Sequence, residues 1–170
     1  MIGVPLWALY IGLDTATTAL IIGIAGALDL ALFYTSGQVM DRFGRRWAAV
    51  PTMIGLSLSL SLIGLATSAS LFLTVALIIS VTNGLGSGVI MVIGADLAPQ
   101  NQHNEFLASY RLLVDSGVAS APPILALLTS LFGLATGMAA MGGLGLIGAF
   151  LMWRYIPIYL PKHAKPAELG

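Results

Sequence analysis

Long apolar stretches broken by short polar turns set the pattern of this chain. Five runs are long enough to cross a lipid bilayer: residues 15–40, 48–66, 71–98, 106–131 and 135–155. A spanning helix needs about 20 apolar residues, because the hydrocarbon core is roughly 30 Å thick and a helix rises 1.5 Å per residue. Backbone N–H and C=O groups find no water there, so each run must be helical. The breaks between runs are DRFGRRW, TSAS, QNQHNE and a bend at Gly133, and a Pro-punctuated tail follows from Pro157. Residues 2–12 are too short to span. They read either as the second half of a sixth span or as a helix lying flat, with Trp7 and Tyr10 at headgroup level. The predicted architecture is an all-α, multi-pass transmembrane bundle over residues 1–160, with a polar tail at 161–170.

Composition reinforces this picture. Of the 170 residues, 58% are hydrophobic and only 8% are charged, where a soluble domain carries about 25% charge. Surface-to-volume scaling prevents a soluble fold of this size from hiding so much apolar surface. The formal net charge is zero, which gives no bulk attraction for nucleic acid. Without cysteine there is no disulfide, thiolate metal site or cysteine nucleophile. His103 and His163 are too far apart in sequence to make a metal site on their own. No span carries a Ser–His pair, a zinc motif or an Asp dyad at useful spacing, so an enzyme is not expected. The glycine spacings open no nucleotide loop, since no strand precedes them and no Lys follows. No cofactor is expected.

Orientation follows from the basic residues. With five alternating spans, Arg42, Arg45, Arg46, Arg111, Arg154, Lys162 and Lys165 all fall on one side. That side is expected to be the cytoplasm, in a cell membrane. The opposite turns, around Asp14, 67–70 and 132–134, carry no base.

The segment GQVMDRFGRR at 37–46 sits in a short turn between two spans. Its pattern, Gly-x-x-x-Asp-Arg-x-Gly-Arg-Arg, resembles the signature loop of the major facilitator superfamily, a large group of secondary transporters. Gly37 lacks a side chain, so a neighbouring helix can come close. Asp41 can cap a helix start or pair with a base. Gly44 permits the positive φ of a tight turn. Arg42, Arg45 and Arg46 hold the basic side. Asp41 and Arg45 read as a gate, and Arg46 reads equally as a topology anchor. The resemblance covers nearly the whole chain but only half of the usual twelve-helix protein. In this family the loop occurs in both six-helix halves. Three features favour the C-terminal half, about helices seven to twelve. Thr82 and Asn83 stand where the N-terminal half usually has an Arg. YRLLVDSGVASAPP resembles the eleventh helix, although it is also similar to the Gly-Pro motif of the fifth. A short polar tail closes the chain.

Ionisable groups inside a span are costly and mark functional candidates. Asp29 lies midway along the first run, ~15 Å or more from either end by helical rise. It reads as a proton or substrate carrier, or as a structural acid bonded to another helix. Asn83, an amide in mid-run, needs a partner or a substrate. Asp115 lies four residues after Arg111, on one helix face, where the two can pair locally. Asp96 and Glu105 flank the loop before Arg111, and with Arg45 they are expected to form a charge cluster. Pro122 and Pro123 remove helix bonds and should bend the fourth run. The resemblance implies a transporter of a small solute, coupled to an ion or proton, or the C-terminal half of one that needs a partner half. The competing expectation is a membrane module that does not transport. A reporter tag placed at Thr67 should face the opposite compartment from one at the C-terminus; accessibility labelling of intact cells that places both on one side would break the five-span topology.

Overall fold

The computed structural model describes residues 3–160. Seven α-helices follow in order: α1 (Gly3–Tyr10), α2 (Thr15–Phe43), α3 (Arg45–Leu62), α4 (Ala69–Leu85), α5 (Val89–Leu97), α6 (His103–Phe132) and α7 (Leu134–Tyr159). There is no strand among the described residues. With their short 3₁₀ extensions these give five candidate spans, at Thr15–Phe43, Arg45–Leu65, Ala69–Leu97, Gln100–Phe132 and Leu134–Tyr159. The apolar stretch of each span is at most 33% buried against protein. The remaining surface needs lipid to cover it.

Helix ends fall where the local chemistry puts them. Asp14 caps α2 by accepting a bond from Thr17 N at 3.1 Å. The Thr17 hydroxyl and backbone bonds hold its carboxyl below the ordinary value of 3.8. Ser68 caps α4 in the same way through Leu71 N. Two junctions turn on a single glycine: Gly44 (φ +90°) joins α2 to α3, and Gly133 (φ +86°) joins α6 to α7. An L side chain would be strained at either φ. Each glycine N–H still bonds back into the preceding helix, Gly44 to Met40 O at 3.0 Å and Gly133 to Thr129 O at 2.9 Å.

Two differences from the sequence reading stand out. The last helix does not stop before Pro157 but continues to Tyr159. Pro157 removes one donor, and the buried Ile156 beside it holds the final turn against the bundle. The third run is not one helix, because the chain leaves helical geometry at residues 86–88, with Gly88 at φ +80° starting α5.

Helix α3 packs most extensively on α7, α2 runs parallel to α4, and α6 leans on α7. Small residues make these approaches possible. A Cβ at Gly142 of α7 would lie 2.6 Å from Ser57 O and collide with the Ser61 hydroxyl. A Cβ at Gly84 of α4 would lie 2.8 Å from both Asp29 O and Leu32 Cβ of α2. Helix α1 is too short to span yet packs within the bundle. Trp7 is 3% exposed and donates its indole N–H to Ala66 O at 2.9 Å. Trp7 is thus covered by protein at the turn that ends the second span, while Tyr10 remains exposed. Helix α6 is the least enclosed, with no buried residue in 30.

Enlarging a seam glycine should therefore destabilise the bundle. Gly142→Val should cost about 2 kcal/mol by overpacking, read as a lower melting temperature in detergent. Gly143→Ala, whose Cβ meets nothing within 4 Å, should change little.

Candidate functional site along the α2–α4 seam

Parallel helices of equal offset bring equivalent depths together. Asp29 and Asn83 each lie 14 residues past the first residue of their helix, Thr15 and Ala69. That places both about 21 Å along their axes. They meet there: Asn83 Nδ2 donates to Asp29 Oδ1 at 3.2 Å and to Oδ2 at 3.0 Å. The amide orientation follows from the contact, since a carboxylate must face the NH₂ group rather than the carbonyl. Among the described residues no base lies within ion-pair distance of Asp29. The carboxylate thus meets one neutral donor, and Asn83 Oδ1 is left to receive another. Gly84 lies under the pair; a Cβ there would come within 3.1 Å of Asp29 Oδ1. Its small size holds the two helices close enough for the bond. In the sequence, only the position of Gly84 next to Asn83 marks it.

One turn further on, the broken third span exposes a carbonyl. Ser36, fully buried on α2, donates its hydroxyl to Ser87 O at 2.8 Å. Breaking the helix at residues 86–88 frees this acceptor, and Ser36 satisfies it. Nothing in the sequence singled out Ser36, because serines elsewhere in the spans bond back to their own helix, as Ser57 does to Met53 O.

At the basic end of the same seam, Arg45 joins two helices. Its Nε donates to Asp96 Oδ2 of α5 at 2.8 Å, Nη1 lies 3.7 Å from Asp41 Oδ1, and Nη1 also donates to Met40 O at 3.3 Å. The expected cluster is thus narrower and differently composed: Asp41 enters it, and among the described residues no ion pair ties Glu105 or Arg111 to it. Glu105 sits exposed in the first turn of α6, where a negative charge suits the helix dipole. Arg111 pairs instead with Asp115, Nε to Oδ2 3.7 Å, and both side chains are more than 60% exposed. Arg42 lies over the Phe43 ring at 5.5 Å and Arg46 over Trp153 at 5.2 Å.

Gly37 does not do what its spacing suggested. A Cβ there meets nothing within 4 Å, because α2 turns its Ser36 and Met40 side inward. Helix α6 stays helical through Pro122 and Pro123. Pro122 lines an apolar hollow of about 790 Å³ with Leu6, Leu9, Tyr10 and Thr129. No group of His, Asp and Glu suited to a metal occurs among the described residues. His163, Lys162 and Lys165 lie outside the described residues.

The Arg45–Asp96 pair is about one-third exposed, so solvent screens it and its contribution stays near 1 kcal/mol or below. A double-mutant cycle with Arg45→Ala and Asp96→Asn, followed by thermal unfolding in detergent, should return a coupling of about 0.5–1 kcal/mol. Zero coupling would show that the two charges do not hold α5 to α3.

No curated protein and no solved structure matches the chain in comparisons with each. A family model described as Major Facilitator Superfamily matches residues 1–170, the whole chain. With its five apolar spans and the 37–46 loop, this chain belongs to the major facilitator superfamily, a family of membrane transporters rather than enzymes.

Proposed function

We propose that the chain is the C-terminal half of a proton-coupled secondary carrier of a small solute, working by alternating access about a midplane site. One observation carries this reading: among the described residues the Asp29 carboxylate accepts side-chain bonds only from the Asn83 amide, in mid-span of two parallel helices. An intramembrane acid with no basic partner is expensive unless it exchanges a proton or meets a solute. Asn83 Oδ1 is the matching acceptor for a solute donor. The Arg45 pairs with Asp96 and Asp41 lie at the end of the same seam and act as a latch on α5. Arg111 and Asp115 stand on exposed α6 and line the approach from that side.

Helix α6 buries no residue, which favours a partner half packed against it over a half that works alone. The basic end belongs at the cytoplasmic face of the cell membrane, because Arg42, Arg45, Arg46 and Arg154 gather there. Thr82 and Asn83, in place of an Arg, support the assignment to the second half.

Replacing Asp29 with Asn tests the proton role. Uptake driven by a pH gradient in vesicles containing the full carrier should fall about tenfold or more, a barrier change of at least ~1.4 kcal/mol, with expression and melting temperature unchanged. Asn83→Ala should weaken uptake less. Undiminished uptake in Asp29→Asn would exclude the carrier role and leave the acid as a structural bond between α2 and α4.

A further inference from the structure

Neighbouring arginines at the start of α3 face opposite ways. Arg45 takes both nearby acids, Asp41 and Asp96. Arg46 turns to α7, where its guanidinium carbon lies 5.2 Å from the centre of the Trp153 ring. It begins the helix face that continues through Met53 and Ser57, which meet Gly148 and Gly145 of α7. Arg46 therefore closes the basic end of the α3–α7 seam. Arg154 follows Trp153 directly and is exposed. Among the described residues neither Arg46 nor Arg154 has a carboxylate within ion-pair distance.

Two further features surround these charges. Trp153 is 47% exposed and sits 6.1 Å from the exposed Phe150 ring. Tyr155 and Tyr159 stack nearby on the same helix at 6.4 Å, both exposed. Amphipathic rings of this kind mark headgroup level. Toward the membrane centre α7 presents Phe150, Ile147 and Leu151 to the outside. Uncompensated guanidiniums thus stand over an aromatic rim, with an apolar strip leading inward.

We propose that the basic end of the α3–α7 seam binds the phosphodiester headgroup of an anionic phospholipid, with its acyl chains laid along the outer face of α7. Trp153 covers one face of the Arg46 guanidinium, leaving its edge to bond phosphate oxygens. Arg154 supplies the second charge. Free phosphate shares the headgroup chemistry but gains nothing from the apolar strip. The site does not involve Asp29 or Asn83 and stands apart from the transport reading.

Native mass spectrometry of the full chain in mild detergent tests this with phosphatidylglycerol, phosphatidylcholine and inorganic phosphate as probes. The wild type should retain phosphatidylglycerol in preference to phosphatidylcholine, and millimolar phosphate should not displace it. Arg46→Gln and Arg154→Gln should each lower retention about fivefold, the effect expected of one base near an anionic surface. Arg46→Lys should fall between them and wild type. Arg154→Gln alone, at an exposed position, keeps the test open where Arg46→Gln fails to fold. Equal retention of the two lipids, unchanged retention in Arg154→Gln, or full displacement by inorganic phosphate would overturn the proposal, the last by reassigning the arginines to a soluble anion.

Discussion

Water is absent from the interior of a bilayer, and that absence shapes every polar group in this molecule. A hydroxyl, amide or carbonyl within the spans is costly without a partner, and among the described residues the buried side-chain oxygens of Thr18 and Thr129 go without one. Most others solve this locally. Ser57 and Ser61 bond back to the carbonyls four residues earlier on α3, Met53 O and Ser57 O. That leaves the α3–α7 seam smooth enough for Gly142 and Gly145 to lie against them. A few polar groups reach across helices instead, and three of those contacts line the seam beside the broken third span. Asn83 meets Asp29, Ser36 meets Ser87 O, and Arg45 meets Asp96, in order from mid-span to the basic end.

That seam runs beside the one broken span. Helix α4 ends and α5 begins across residues 86–88, with Gly88 in a left-handed conformation. Irregular backbone at membrane depth is tolerated only where protein or a cavity covers it. Ser36 provides that cover by taking the Ser87 carbonyl. Helix α5 is then a short rod held at its root by Ser36 and near its tip by Arg45. Tyr110 of α6 packs on Gly94 and donates its hydroxyl to Ile90 O. Transporters place binding and movement at such discontinuous helices, and the Asp29–Asn83 pair stands just on the α4 side of this break.

Much of this was legible in the chain itself. Apolar run lengths located all five spans, because bilayer thickness and helical rise leave little freedom. Gly44 and Gly133 marked two turns, since both adopt a φ that other residues resist. Asp29 and Asn83 stood out singly, as polar residues in apolar runs. Pro157 misled, because its local cost was outweighed by the packing of Ile156. Gly37 misled as well, because spacing along one helix does not tell which face a neighbour takes.

The sequence by itself determined that the chain lives in lipid, how many times it crosses, and which end carries the bases. These follow from transfer energies and lengths, which act on each segment separately. Only the tertiary structure decided that Asp29 and Asn83 are partners, that Arg45 chooses Asp96 over Glu105, and that Ser36 rather than another serine reaches across. Those pairings depend on which helices run side by side and at what offset. That relation joins residues about fifty positions apart, beyond the reach of any local pattern.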